Sequence, residues 1–463
     1  MIHYQLNSAS KKTTRFFECL IRKVQAQGLD FLKIKKFTFV KNCFQKGRNA
    51  EIGLFGQALN RRGSKFYRHL LWMVAVFSVL VGCKTYYQPI SERNFSHLYN
   101  PMHTDIHPTL MLNRVAPDSS VIFLHIPVSD IAFPEFKRRE DQVAGVAIEY
   151  FLVDSAGANM FRDSGSVKYA QPQKPATNFL QLQLGFTHHS DSVRYVDLRI
   201  TDLLSELETN EVVRMRNDYE GNPQRYFAYF NDKKYPFTRT IAAEGDSVKV
   251  NYRGKNDSLW VFHLTYNRKA SLPFDTAYKF SKNDFLRFSI SGSYVINSDS
   301  TLNGGLRYVV GSPYFPAIRQ ARQMLGPIRY LINGNEWRQI NQLPPKHAVD
   351  TFWLRAAPDT EKAKQLIQVF YNRVQLANIK FSSHRAGWKT DMGKVITLAG
   401  LPDEVQLTDT SEHWFYYIGK NEKLKIPFAY NDSIGEYQLN RNDSLMNGFL
   451  MHHINGWRKG KFY

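Results

Sequence analysis

The chain has 463 residues, of which 43% are apolar, and a formal net charge of +20 at pH 7. This length and composition exclude an intrinsically disordered protein and predict two to four domains, because domains commonly have roughly 100 to 200 residues. More than half of the positive excess lies before Cys83. The remaining chain has the mild basicity of an ordinary solvated surface, and a nucleic-acid-binding protein is not indicated.

A basic stretch followed by an apolar run leads up to Cys83. Residues 61–83 read RRGSKFYRHLLWMVAVFSVLVGC, with the apolar run at 70–80. This run is shorter than the roughly 20 residues of a membrane-spanning helix but fits the roughly 7 to 15 of a signal peptide. The last four residues resemble the bacterial lipobox, in which a cysteine receives diacylglycerol. We therefore expect a lipoprotein signal peptide at 61–82 and a lipid on Cys83. The alternative is a buried apolar helix that ends in cysteine.

The cysteine count agrees with a lipid anchor. Cys19 and Cys43 precede the expected cleavage site, so a chain that begins at Cys83 has no partner for an intramolecular disulfide. A thioether to lipid would remove the unpaired thiol. Residues 1–60 lack a persistent apolar period, and we expect them to be a non-native extension from a misassigned translation start, with a cytoplasmic extension as the alternative. Residues 83–118 are expected to form the lipid anchor and a polar tether.

Short runs of β-branched and aromatic residues follow this tether. VIFLHIPV at 121–128 and LWVFHLTY at 259–266 are two of them, and turn residues separate the runs. They predict two tandem antiparallel β-sandwiches, 119–217 and 218–312, with a boundary at DYEGNP (218–223), where Gly and Pro interrupt the strand pattern. One long hairpin loop is the alternative there. The aromatic alternation would also suit a glycan or nucleic-acid platform, but half-buried strands have the same pattern.

The pattern becomes helical in residues 313–463. The segment 358–381, PDTEKAKQLIQVFYNRVQLANIKF, predicts a long amphipathic helix, and Asp359 or Thr360 can cap its N-terminus. Its apolar residues share one helical face: Leu366, Phe370, Val374 and Ala377. Because strand-like runs follow this helix, we predict a mostly β protein with a C-terminal α+β domain.

A set of glycines, aromatics and acidic residues follows the long helix. GWKTDMG occupies 387–393, KVITLAGLPDEV occupies 394–405 and EHWFYYIG occupies 412–419. This set resembles the GWxTD-domain family of secreted bacterial proteins. The positions that carry the motif are Gly387, Trp388, Thr390, Asp391, Gly393, Gly400, Pro402 and Asp403.

The resemblance implies a fold, with β-rich modules before the C-terminal domain, and export from the cytoplasm by an N-terminal signal. It implies no reaction. Two positions depart from the family pattern: Met392 stands where the family usually has Arg, and Leu401 where it has a second Pro. The turn after 394–400 is also similar to that of the small lipoproteins that assist outer-membrane β-barrel assembly. If that similarity holds, the apolar run before the turn is a strand.

The residue types of the motif suit a structural role. Gly387 and Gly393 allow a positive φ or a close backbone approach. Trp388 can bury a large ring, and Thr390 or Asp391 can satisfy turn amides. No reaction needs that set, and the motif is predicted to be structural or binding.

A hydrolase or metal site is the rival interpretation of this region. The carboxylates concerned are those of Asp391, Asp403 and Glu404, and His384 and His413 flank them. The histidines lack helical ligand spacing, and the sequence has no HExxH motif, G-x-S-x-G elbow, phosphate-binding glycine loop or dinucleotide fingerprint. We therefore predict no catalytic residue, metal, cofactor or nucleotide.

Together these patterns predict a membrane-anchored envelope lipoprotein, in the outer membrane, that acts as a non-catalytic protein-binding or scaffold component of an outer-membrane or secretion-associated assembly. Its expected partners are the membrane, through the lipid, and other envelope proteins. The alternative is an envelope hydrolase or glycan-binding protein, for which Asp391, Asp403 and His413 are the residues of interest.

Overall fold

The fold is known here from a computed structural model. It describes residues 87–462 except 135–142, 172, 189–192, 231–235, 237–239, 266–273, 283, 312–313, 420–421 and 432–434. Cys83, the expected signal peptide at 61–82 and the extension at 1–60 lie outside the described residues. Within the described ranges, no helix has both the length and the apolar character needed to cross a membrane.

Residues 87–108, expected to belong to the polar tether, are folded in the structure. Short 3-10 turns form at Ile90–Glu92, Ser96–Leu98 and Pro101–His103. Ile90 and Phe95 are buried in the same apolar core as the C-terminal domain. The apolar residues of this segment do not recur at the spacing of a helix or a strand, because their positions match the surface of the C-terminal domain on which they pack. The tether prediction is corrected for this part of the chain.

The first β-sandwich consists of two antiparallel sheets. One has the order β1-β2-β5 and the other β4-β3-β6-β7. The strands are β1 (Thr109–Ala116), β2 (Ser119–Pro127), β3 (Gly145–Val153), β4 (Asp163–Ala170), β5 (Phe179–Thr187), β6 (Tyr195–Asp202) and β7 (Glu208–Arg214). Alternate residues of β5, such as Leu182 and Leu184, enter a core shared by the two sheets. The sandwich thus begins at β1, before the expected start at residue 119.

The second β-sandwich has sheets of the order β13-β10-β8 and β12-β11-β14-β15-β9. The strands are β8 (Tyr226–Phe230), β9 (Ile241–Ala243), β10 (Ser247–Tyr252), β11 (Ser258–Leu264), β12 (Thr276–Ser281), β13 (Phe285–Arg287), β14 (Gly292–Asn297) and β15 (Leu306–Gly311). Contrary to the sequence prediction, this sandwich is not wholly antiparallel, because β9 pairs with β15 in parallel. The predicted boundary at 218–223 lies between β7 and β8. There the Asp218 carboxylate pairs with Arg225 at 2.7 Å and with Arg253 at 2.5 Å.

The C-terminal domain combines helices with a four-stranded antiparallel sheet. The helices are α1 (Ala321–Ile328), α2 (Gly334–Ile340), α3 (Pro345–Ala356), α4 (Thr360–Phe381), α5 (Asp391–Ala399) and α6 (Ser444–Arg458). The sheet has the strands β16 (Glu404–Leu407), β17 (Ser411–Tyr417), β18 (Lys423–Asn431) and β19 (Glu436–Leu439), in that order. The mostly β fold with a C-terminal α+β domain is confirmed.

Helix α4 begins and packs as its sequence predicts. The Asp359 carboxylate accepts a hydrogen bond from the Lys362 amide at 2.7 Å and caps the helix. Leu366, Phe370 and Val374 are fully buried. One face of the helix therefore forms the centre of the domain.

The apolar run at 394–399 is helical, not a strand as its likeness to the barrel-assembly lipoproteins suggested. Val395, Ile396 and Thr397 are β-branched, which favours strands. Thr390 nevertheless caps a helix that starts at Asp391, and all three β-branched residues are buried between α4 and the sheet. Tertiary packing and the cap outweigh the local preference for a strand.

Candidate functional site

The turn before α5 brings two backbones closer than any side chain would allow. A Cβ on Gly387 would lie 1.9 Å from the carbonyl oxygen of Ala377 in α4. A Cβ on Gly393 would lie 1.9 Å from the carbonyl oxygen of Gly387. Neither glycine has a positive φ. Both are therefore needed for the close approach of the backbones and not for a left-handed conformation. These residues lock α4, the turn and α5 together.

Thr390 closes the turn through its hydroxyl group. The hydroxyl donates to the Gly387 carbonyl at 2.7 Å and accepts from the Gly393 amide at 3.1 Å. The second bond satisfies one of the free amides at the start of α5. Thr390 is buried, so both bonds form away from solvent and fix where the helix begins.

Asp391 connects the start of α5 to the last strand of the sheet. Its carboxylate accepts from the Leu439 amide at 2.9 Å and pairs with Arg441 at 3.3 Å. Only 8% of the residue is exposed. A negative charge is also favourable at a helix N-terminus. The side chain is therefore a structural bridge between α5 and β19.

Trp388 packs over α1 and the loop after it. Its ring lies edge-on to Tyr330, with centroids 5.6 Å apart, and a Cβ on Gly326 would lie 3.0 Å from it. The Tyr330 hydroxyl donates to the Trp388 carbonyl at 2.8 Å. The ring is half-buried, less than the sequence suggested. Its contacts hold α1 against the motif.

The other motif residues lie at the opposite end of α5. Gly400 ends the helix with a φ of 90° and its carbonyl accepts from the Tyr416 hydroxyl at 2.9 Å. Pro402 is buried, whereas Asp403 is exposed and accepts from the Tyr417 amide at 2.8 Å. This turn aligns β16 with β17.

A half-open groove of about 670 Å³ lies beside this turn, between the ends of β17 and β18 and the helix α6. It is lined by Arg373, Ala399, Gly400, Leu401, Asp403, Tyr416, Tyr417, Ile418, Leu424, Leu445, Phe449, His452 and His453. Most of these side chains are apolar or aromatic. The sequence does not reveal this groove because its residues come from five separate elements and the turn after α5, and they share no local pattern.

Two basic side chains lie at the floor of the groove. The Arg373 guanidinium donates to the Leu398 carbonyl at 3.1 Å and lies over the Trp457 ring at 5.4 Å. Burial lowers its pKa to about 10. Burial, with smaller effects of Arg373 and His452, lowers the pKa of His453 to about 4. At neutral pH the floor therefore carries a charged guanidinium beside a neutral imidazole.

The residues of the rival hydrolase hypothesis do not converge. Asp391 and Asp403 flank a helix whose nine residues separate its ends by about 12 Å. His413 bonds to Ser411 at 2.9 Å, and His384 pairs with Glu436 at 3.2 Å. Among the described residues, no group of three or more His, Cys, Asp or Glu side chains could hold a metal.

A buried carboxyl group that the sequence did not single out joins the N-terminal segment to the sheet. Glu412 accepts from the Trp414 indole at 2.7 Å and from the Tyr99 hydroxyl at 2.5 Å. Burial raises its pKa to about 7. Phe95 also donates its amide to the Val405 carbonyl at 2.8 Å. The segment nearest the expected anchor is thus bonded to the C-terminal sheet.

Residues 292–459 match the family model described as the GWxTD domain. This match begins in β14, so it includes two strands of the second sandwich. In β14 the Ser293 hydroxyl donates to the His384 carbonyl. Thr240, just before β9 of the same sandwich, donates to the Ser382 carbonyl at 2.9 Å. The matched region therefore extends across both modules.

No curated protein matches the chain. A solved structure titled "Biofilm associated protein - BSP domain" is 8% identical, with 45% of this chain and 51% of that chain covered and a TM-score of 0.15. The chain thus spans about half the length of that structure's chain, and a TM-score this low supports no inference about fold or function.

Proposed function

We propose, from the premise that residues 292–459 are a GWxTD domain, that the protein is an envelope lipoprotein anchored through Cys83. In this proposal it binds other envelope proteins as a non-catalytic scaffold. The observation that carries the proposal is the packing role of the motif. Thr390 and Asp391 bond to main-chain groups of the domain itself, and the glycines allow backbone contact.

Exposed aromatic residues at sheet edges support the binding part of the proposal. In the described part of the second sandwich, β12 and β13 lie at the edges of their sheets. Tyr278 on β12 is 42% exposed and Phe285 on β13 is 46% exposed. An edge strand with unpaired backbone groups is a site where another chain can add a strand. These two edges are the surfaces we assign to protein partners.

The anchor is tested by intact mass spectrometry of protein from the membrane fraction of a bacterial host, beside a Cys83→Ser variant. The proposal predicts a chain that begins at Cys83 and carries acyl mass, and an unlipidated variant outside the membrane fraction. Wild-type protein that retains residues 61–82 and carries no acyl mass would refute the lipoprotein part.

The scaffold role is tested by placing a photo-crosslinking amino acid at Tyr278 or Phe285 in the host cell. The control position is Lys364, an exposed residue of α4. We expect discrete crosslinked protein species from the two edge positions and none from the control. Equal labelling at all three positions, or crosslinks only to glycan, would contradict protein binding at these edges.

A further inference from the structure

The groove at the C-terminal end of α5 has the features of a ligand site, and the scaffold proposal gives it no role. Its volume of about 670 Å³ lies within the roughly 300 to 1,000 Å³ of small-molecule sites. We propose that it binds a long-chain fatty acid, with the carboxylate at the Arg373 guanidinium and the acyl chain along the apolar walls. This inference goes beyond the scaffold function and does not depend on it.

Apolar side chains form much of the walls. Leu401, Leu424 and Phe449 are partly buried around the groove. At its mouth, Ile418 is 55% exposed and Leu445 is 73% exposed. Neighbouring apolar side chains with this exposure bind an apolar ligand because covering them removes their surface from water. An acyl chain lying in the groove would cover these side chains.

Arg373 supplies the floor with a positive charge suited to a carboxylate, whereas the one carboxylate of the lining, Asp403, is exposed at the turn. Arg373 lines the groove, and burial has already removed part of its hydration, as the lowered pKa indicates. A guanidinium attracts a carboxylate through its positive charge and forms charge-assisted hydrogen bonds with it. His453 beside it is neutral at pH 7, so the floor favours a monoanion over a phosphate with two charges.

A fatty acid fits the groove better than a peptide does. A peptide would carry several N–H and C=O groups that need partners once they leave water. The Tyr416 hydroxyl and the Asp403 carboxylate, two polar groups of the lining, already bond to Gly400 and Tyr417. An acyl chain has no such groups beyond its carboxylate. The polar contact expected of it is therefore confined to the floor.

The direct test is calorimetric titration of the full chain with dodecanoate and with dodecanol, below the concentration at which either aggregates. We expect dodecanoate to bind at one site roughly tenfold more tightly than dodecanol, because only the acid forms a charge-assisted hydrogen bond. Affinity should rise about fourfold for each added methylene from decanoate to tetradecanoate. Equal affinity for acid and alcohol, or no binding of either, would overturn the proposal.

Two variants on one helix locate the site. Leu445→Glu places a negative charge at the mouth of the groove, and Met451→Glu places the same charge at a position of α6 that is 52% exposed and outside the lining. Both positions are exposed, so both variants should fold. We expect at least a tenfold loss of dodecanoate affinity for Leu445→Glu and less than a twofold change for Met451→Glu. Equal losses would show non-specific binding and reject the site.

The carboxylate contact is tested by Arg373→Gln. The variant should bind dodecanoate and dodecanol with similar affinity while retaining the chain-length dependence. Retention of the tenfold preference for the acid would exclude Arg373 as its partner. An apolar tetrapeptide with a free C-terminus serves as the competing ligand, and tighter binding of that peptide than of dodecanoate would replace the fatty acid with a protein terminus.

Discussion

The two ends of α5 differ in how their side chains are used. At the N-terminal end, Thr390 and Asp391 are buried and bonded to the main chain. At the C-terminal end, Asp403 is exposed and the turn at Gly400 borders a groove. Both ends belong to the same motif, and the C-terminal end borders a concave surface. A motif can thus hold a fold together at one end and shape a binding site at the other.

The largest effect expected from this comparison comes from Gly387→Ala. The added Cβ would lie 1.9 Å from the Ala377 carbonyl oxygen, so α4 and the turn must separate. We expect a loss of about 3 kcal/mol or more in the free energy of unfolding. The control, Gly448→Ala in α6, has open space around its Cβ and should be neutral or stabilised by up to about 1 kcal/mol. Urea denaturation measures both, and equal stability of the two variants would contradict the close packing.

Replacing the two aspartates compares the two ends directly. Asp391→Ala removes the acceptor for the Leu439 amide in a buried place, so we expect a loss of about 2 kcal/mol in the free energy of unfolding. Asp403→Ala removes a bond at an exposed turn and should cost less than about 1 kcal/mol. The same denaturation experiment applies. A larger loss for Asp403→Ala would reverse the assignment of the two ends.

The groove end should also show a pH dependence through His453. Its pKa is lowered from 6.5 in the unfolded chain to about 4 in the folded protein. Between these values the unfolded chain binds the proton and the folded protein does not, so stability falls as the pH decreases from about 6.5 to 4. Because solvent in the open groove screens the charge, we expect the free energy of unfolding to fall by only about 1 to 2 kcal/mol over this pH range.

The pH effect is measured as a difference between wild type and His453→Gln. The raised pKa of Glu412 acts in the opposite direction, because that carboxyl group takes up its proton in the folded protein first, and the difference cancels this contribution. Parallel stability curves for the two proteins over this pH range would contradict the assigned His453 shift.

The smallest effect concerns stability at the mouth of the groove. Leu445 is 73% exposed, so Leu445→Glu should change the free energy of unfolding by less than about 0.5 kcal/mol. A larger loss would mean that the side chain is part of the core and that the groove is a packing defect. Thermal unfolding beside Met451→Glu provides the comparison.

Much of the fold could be predicted from periodicity and capping. Alternating runs predicted several strands of each sandwich, among them β2 and β11, but not β1, which precedes the first such run. Asp359 with the apolar face of 360–381 predicted α4. The helical state of 394–399 could not be predicted from its β-branched residues, because burial between α4 and the sheet decides it. Residues 87–108 were expected to be a tether, since their apolar side chains have no period and fit only a surface formed by distant residues.

The site, like the fold, was predicted only where residues close together in the sequence determine it. The glycines of the motif were expected to allow close approach or positive φ, and the structure selects the first at Gly387 and Gly393. The partners of Asp391 and the floor of the groove could not be found, because Leu439 and Arg373 are distant in sequence and meet α5 only in the folded chain. The anchor at Cys83 and the scaffold function stay predictions.

The division between the two ends of α5 is tested most directly by titrating dodecanoate into Asp391→Asn and Leu445→Glu while recording the unfolding temperature of each variant. We predict that Asp391→Asn unfolds at a lower temperature but binds dodecanoate with wild-type affinity. Leu445→Glu should retain wild-type stability and lose at least tenfold in affinity. Loss of binding in Asp391→Asn at temperatures where it is folded, with binding retained in Leu445→Glu, would contradict the account and make the motif turn the binding site.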